Sequence, residues 1–318
     1  MTDTLDKLKD SFNSSYDVFI ASASYEERCL SIIKNIETEI SFGYKIVSLS
    51  TPHKELISDN LNIFIEKDFT VVEVDNSDQV GTMMSLLSPI IDILEDNEDA
   101  SFLVDITTFT RQTLLILLRL LRNILTTKNL VQFVYAPAKE YSIGLKHCDK
   151  WLTRGILEVN SVFGYSGVIR PSRPYHLIIL LGFEVERASS LIDAYEPTKI
   201  SIGYAKKLDS LSPEDYELNK EKCKELLLEY PIAEYFEFSC VNVEECKTEI
   251  LDQVRKHGKS NVIISPMNNK ISTVACALAA FENEEIQLAI AIPATYNHEN
   301  YSSSGTSFHI LEVTDFIK

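Results

Sequence analysis

The sequence predicts an α/β fold: two tandem units, each a doubly wound parallel sheet covered by helices, together forming an internal pseudo-dimer. Three observations predict it. Apolar runs of strand length alternate with helical segments along the chain, the pattern of parallel strands joined by crossover helices. The run Phe102-Leu103-Val104-Asp105 leads through Ile106-Thr107-Thr108-Phe109-Thr110-Arg111 into the helical stretch Gln112 to Leu118. The landmarks of the first half then return in the second half in the same order, as a duplicated unit requires.

Taken in order, residues 1–15 are polar and read as a loose leader or a short helix. Tyr16 to Ala21 is a continuous apolar strand, as strands buried on both faces are. It ends at Ser22 and Ser24, either of which suits a helix N-cap, with Glu26 and Glu27 in the turn beyond. Strand Lys45 to Leu49, a helix around 52–65, strand Thr70 to Val74 and a helix near 80–95 follow. The acidic loop Glu95 to Asp99 leads into the Phe102 strand, and Val131 to Tyr135 closes the unit before Pro137, Ala138 and Tyr141.

The second half matches the first at four landmarks. Tyr175 to Arg187 aligns without a gap on Tyr16 to Arg28, pairing Ile20 with Ile179, Glu27 with Glu186 and Arg28 with Arg187. Lys199-Ile200-Ser201-Ile202 repeats Lys45-Ile46-Val47-Ser48. Asn261 to Lys270 repeats the strand, polar turn and basic helix entrance of the Asp105 segment, with a helix from Val274 to Phe281. Ala289 to Tyr296 repeats the strand before Pro137, and Tyr301 to Gly305 echoes Tyr141 to Gly144. The expected boundaries are an N-terminal unit at 1–148, a connecting segment at 149–174 and a C-terminal unit at 175–318. The connector holds Gly155, Gly164, Gly167, Pro171 and Pro174 and reads as a hairpin crossing between the halves.

Composition narrows the function. At 318 residues the chain suits two domains, and 45% hydrophobic content is ordinary for a globular protein. No apolar run reaches the roughly 18 residues that span a bilayer, and the N-terminus has no signal-peptide pattern. Neither a membrane partner nor secretion is expected. The six cysteines lack C-x-x-C spacing and the six histidines form no ligand pattern, so no metal and no cofactor is expected, and the compartment is a reducing cytoplasm. A formal charge of −17 opposes long nucleic acid, whose binding rests on many cation–phosphate contacts. A small phosphorylated nucleotide needs only one or two local donors.

Those donors lie at strand ends, where doubly wound sheets hold their ligands. The first half offers Ser22, Ser24, Arg28, Thr107, Thr110, Arg111 and Tyr141 as ligand-binding residues. The second offers Arg187, Asn268, Asn269, Lys270 and Tyr301. Arg111 and Lys270 stand out because a cation at a helix N-terminus runs against the dipole and invites an anion to compensate. Tyr141 and Tyr301 follow strand ends in polar loops, placed to stack on a base. The two sets are expected to converge on one cleft. Asp105, Glu184 and Tyr25 are the candidates for a catalytic base or nucleophile.

The turn Asp105-Ile106-Thr107-Thr108-Phe109-Thr110-Arg111 resembles the D-x-T-G-G-T-K motif of the CRISPR-associated Rossmann fold (CARF) family. Asp105, Thr107, Thr110 and Arg111 match it; Thr108 and Phe109 replace the two glycines and arginine replaces lysine. The second half keeps Asn269-Lys270. The tandem arrangement also resembles the SAVED sensor domains of anti-phage systems. The resemblance implies two Rossmann-like (CARF-like) units and a cyclic-oligonucleotide ligand. It implies a role in prokaryotic antiviral defence, as a sensor or regulatory protein with an effector protein as partner. Two other readings stand beside it: a ring-nuclease-like phosphodiesterase or nucleotide hydrolase, and a protein-interaction scaffold without a small ligand.

Overall fold

The computed structural model describes residues 2–4, 11–36, 38, 40–51, 54–146, 149–311, 313 and 316–317. It divides the chain into two compact units, residues 1–140 with 302–318, and residues 141–301. The first unit begins with β1 (Thr2–Thr4), β2 (Ser15–Ser22), α1 (Ser31–Ile36), β3 (Ser41–Ser50), α2 (Lys54–Glu66) and β4 (Thr70–Val74). It continues with α3 (Gln79–Asp96), β5 (Phe102–Asp105), α4 (Arg111–Ile124), β6 (Val131–Tyr135) and β7 (Ala138–Tyr141). The second unit opens with β8 (Thr153–Ser166), β9 (Tyr175–Leu180), α5 (Val185–Tyr195), β10 (Lys199–Ala205) and α6 (Pro213–Glu229). It ends with β11 (Ala233–Phe238), α7 (Val243–Lys256), β12 (Asn261–Pro266), α8 (Lys270–Glu282) and β13 (Gln287–Tyr296). Last come β14 (Ser302–Ser304) and β15 (Ser307–Leu311), which belong to the first unit.

The sheet of the first unit runs β1-β15-β6-β5-β2-β3-β4. Its five central strands are parallel, in the order 3-2-1-4-5 of the Rossmann fold. β15 pairs antiparallel outside β6, with His309 opposite Tyr135. The second sheet runs β11-β10-β9-β12-β13-β8. It repeats the parallel 3-2-1-4-5 order and also carries an antiparallel strand, β8, outside its fifth. The protein is therefore α/β, with two mixed sheets of mostly parallel strands.

The central strands explain their apolar sequences. All four residues of β5 and all six of β12 are buried, because helices cover both faces and no position faces water. In the first unit, Phe19, Phe64 and Phe69 form an aromatic knot, with the Phe64 and Phe69 rings 4.9 Å apart and edge-to-face. In the second, Leu177, Ile179, Ile202 and Ile263 pack under Leu191 and Leu226. Each such side chain contributes about 1.5–3 kcal/mol on burial.

Three segments differ from the sequence expectation. The connector at 149–174 contains not a hairpin but one 14-residue strand, β8, integral to the second sheet. Its glycines mark bends within and after a single strand: Gly155, Gly164 and Gly167 all have positive φ. A Cβ on Gly167 would meet the backbone of Glu285 and Gln287 at 2.7 Å. The second difference is at the C-terminus. Residues 302–318 lie with the first unit rather than with 175–301, because β15 covers the edge of β6 and buries Phe308 in the first core. At the N-terminus, residues 2–4 form a strand rather than a loose leader or helix.

Candidate functional site

Each sheet reverses its strand order between its first and fourth parallel strands, β2 and β5 in one unit and β9 and β12 in the other. The connections leave these neighbours in opposite directions, which opens a crevice beyond their carboxyl ends. The polar turns sit there in both units.

In the first unit, Asp105 ends β5 and is buried. Its Oδ1 accepts the Thr107 backbone N–H at 3.0 Å and the Thr107 hydroxyl. That hydroxyl accepts the Ala136 N–H at 3.0 Å, so a relay of donors links the ends of β5 and β6. Burial pushes the Asp105 carboxyl from its ordinary 3.8 up to about 7; the Thr107 donors and the Arg28 charge oppose the shift without cancelling it. Thr108 turns back and donates to the Ser22 carbonyl at 2.7 Å, fixing β2 to the turn. Thr110 is the N-cap of α4, accepting from the Thr113 N–H at 3.2 Å. Its hydroxyl also donates to Asn76 Oδ1 at 3.1 Å, and Gln112 donates to the Asn76 carbonyl at 2.6 Å. Arg111, the first residue of α4, is half-buried.

Arg28 lies one turn beyond β2 and is 3% exposed. Its guanidinium donates to the Ala136 carbonyl at 2.9 Å, to Ser302 Oγ at 3.1 Å and to Glu26 Oε2 at 2.6 Å. Ser22 and Ser24 are also buried, and Ser24 Oγ accepts the Glu26 N–H at 3.2 Å. Tyr25 beside them is half-buried.

The second unit repeats the theme with different residues. Arg187, 5% exposed, donates to the Ala291 carbonyl at 3.0 Å and to Glu184 Oε2 at 2.7 Å. Glu184 takes a second donor from the Thr153 hydroxyl. Burial alone lowers the proton affinity of Arg187, but the Glu184 carboxylate, Tyr296 and Tyr301 together outweigh it and the guanidinium stays cationic. In each unit, then, the arginine after the first strand reaches a carbonyl on the fifth strand or just beyond it and a carboxylate of its own turn. A buried charge needs this many partners. These two guanidiniums anchor the rims of their sheets.

Asn268 and Asn269 precede α8. Asn269 is its N-cap, accepting the Ser272 N–H at 2.9 Å and donating to the Cys240 carbonyl at 2.7 Å. Asn268 donates to the Leu181 carbonyl at 2.8 Å and accepts the Asn269 N–H. Asn219 of α6 binds the same turn through the Leu181 and Gly182 carbonyls. The approach is so close that a Cβ on Gly182 would lie 2.6 Å from the Met267 carbonyl oxygen. Lys270, first in α8, is half-buried, like Arg111. Tyr141 and Tyr301 come together edge-to-face at 6.3 Å, with Tyr296 6.5 Å from Tyr301.

Sequence reasoning missed Glu26, Asn76, Thr153, Asn219 and Ser302. The Asp75-Asn76-Ser77 turn was a usable signal for Asn76, since such residues cap and cross-link strand ends. Asn219 sits mid-helix with nothing local to mark it. Among the described residues, no group of three or more His, Cys, Asp or Glu is placed to hold a metal ion, and no helix is long and apolar enough to cross a membrane.

No protein-family model matches the chain, and no curated protein sequence matches it. Solved structures give faint likenesses. One is a UDP-GlcNAc 2-epimerase from Neisseria meningitidis bound to UDP-GlcNAc, at TM-score 0.24 and 14% identity over 79% of this chain and 77% of that one. Another is a UDP-GlcNAc 2-epimerase from Methanocaldococcus jannaschii, at TM-score 0.24 and 12% identity over 86% and 88%. A third is a keto acid-selecting NRPS module, at TM-score 0.25 and 11% identity over 85% of this chain and 30% of that one. Likenesses this low carry no argument about function.

Proposed function

We propose that the chain is an internal duplication that binds a nucleotide or cyclic-oligonucleotide second messenger and acts as a sensor or regulatory component in prokaryotic antiviral defence, passing its signal to an effector protein. One observation carries this reading. Each unit places a half-buried cation, Arg111 or Lys270, as the first residue of the helix that enters from the strand-order reversal. A cation there opposes the helix dipole, and a phosphate that accepts from both the cation and the helix N–H groups relieves the conflict. The shared strand order of the two sheets supports the duplication. The buried arginines Arg28 and Arg187 shape the rims in this reading, and Tyr141 and Tyr301 supply stacking surface.

Isothermal titration against mononucleotides and cyclic and linear oligoadenylates tests it. Binding of one class is expected, weakened about tenfold or more by Arg111→Ala or Lys270→Ala. No heat with any member overturns it. A hydrolase reading is favoured by one specific feature, the Asp105 carboxyl that keeps its proton to about pH 7, a value suited to proton transfer. Chromatography of products from wild type and Asp105→Asn separates turnover from binding: turnover that survives the substitution removes Asp105 from the chemistry.

A further inference from the structure

The two sheets differ at one edge. In the first unit the antiparallel strand outside the fifth is β15, and its outer edge is covered by β1, with Thr2 opposite His309 and Thr4 opposite Ser307. In the second unit β8 takes the place of β15 and ends the sheet; no described strand pairs outside its 154–160 stretch. β8 is 14 residues long, beyond the short lengths that keep edge strands inert; the Gly155 N–H is taken by Glu186 Oε2 at 3.0 Å, but residues 156–160 beyond it hold neither the lysine nor the proline that usually blunts an edge. The register shift between Ile292 and Pro293 leaves Leu157 without an opposite residue, and its side chain is 70% exposed. A bulge commonly re-aims a side chain in this way. Arg154 and Glu158, exposed on either side of Leu157, are the only charges of the stretch.

We propose that the outer edge of β8 docks the β8 strand of a second copy of this chain, antiparallel and about a twofold axis near Leu157. The pairing extends the six-stranded sheet of each copy into one continuous sheet, as β1 extends the sheet of the first unit. It is self-complementary, as a twofold contact must be. Each Leu157 lies beside its symmetry mate, and each Arg154 falls opposite Asn160 and diagonal to Glu158 of the other copy, within reach of long side chains of opposite charge.

Sedimentation velocity over a concentration series tests the proposal, with circular dichroism confirming that each variant is folded. Wild type is expected to dimerise. Leu157→Glu, at an exposed position, is expected to weaken the dimer about tenfold or more. Glu158→Arg alone sets like charges across the axis and is expected to weaken it also, and adding Arg154→Glu in the same chain is expected to restore it. A wild type that stays monomeric at every concentration overturns the proposal and leaves that edge to some other strand. A dimer indifferent to Leu157→Glu and to the charge reversal overturns it equally, because that dimer forms elsewhere.

Discussion

Two buried titratable side chains set opposite pH dependences on stability. Asp105 has its proton affinity raised by burial to about 7. The unfolded chain therefore ionises first as pH rises, and the stabilising contribution, complete below about 3.8, is lost as pH rises through 7. In wild type this amounts to at most about 4 kcal/mol, at about 1.4 kcal/mol per tenfold change in proton affinity. Asp105→Asn keeps an acceptor for Thr107 and removes the titration. Urea unfolding at pH 5 and pH 8 is expected to show the variant gaining on wild type at the higher pH; an equal difference at both places the ionisation elsewhere. His176 runs the other way. It is fully buried, with Nε2 2.9 Å from Ser201 Oγ and its ring 4.4 Å from that of His257. Burial, helped by the His257, Lys199 and Lys256 charges, drives it from 6.5 down to about 3. Its contribution is present above about pH 6.5 and is lost as pH falls toward 3, because the unfolded chain takes up the proton first. His176→Phe is expected to flatten that acid-side slope whatever it does to absolute stability, and an unchanged slope between pH 4 and 6.5 refutes the assignment. The two effects overlap and partly cancel in wild type, so each shows only in the difference between variant and parent.

The helix entrances carry the next level of argument. Thr110 and Asn269, expected at the ligand, are each a short polar residue before an apolar helical run, and both cap their helices in the structure. What each cap also holds was not legible. Asn269 donates to the Cys240 carbonyl beyond β11, whereas Thr110 meets the side chain of Asn76 beyond β4; these are tertiary contacts with no local spacing. The same holds for Arg28 and Arg187. Their recurrence was visible, but their burial against Ala136 and Ala291 depends on the fifth strand arriving beside them. The caps predict unequal costs. Thr110→Ala loses the cap bond and the hydroxyl's bond to Asn76, a side chain that is only half-buried, for about 1 kcal/mol or a little more. Asn269→Ala loses the cap and leaves the Cys240 carbonyl without that donor, for about 2–3 kcal/mol in all. Guanidinium unfolding midpoints compare them directly, and equal losses refute the cross-link's contribution.

At the scale of the molecule, the parallel cores were legible because strands buried on both faces must be apolar throughout, as Phe102–Asp105 and Asn261–Pro266 largely are. The antiparallel strands outside those cores were not, because a strand such as Ser307–Leu311 has a mixed pattern that names no partner. A boundary drawn by repeat length therefore falls in a different place from one drawn by sheet membership, and the two divisions predict different fragments. Residues 141–301 hold all six strands of the second sheet and its core in one continuous stretch. Expressed alone, this segment is expected to unfold in a single cooperative transition. Residues 1–148 lack β15, so β6 loses its antiparallel neighbour and the first core loses Phe308, which is 1% exposed in the whole chain. Removing a buried phenylalanine side chain typically costs about 3–5 kcal/mol, a large part of the roughly 5–15 kcal/mol that holds a domain folded. The 1–148 fragment is expected to show weak amide protection in its sheet, and Phe308→Ala in the full chain is expected to lower protection in β2, β5 and β6 while leaving β9 and β12 unchanged. Hydrogen exchange read strand by strand decides the matter: full protection of the sheet in the 1–148 fragment refutes the dependence on β15.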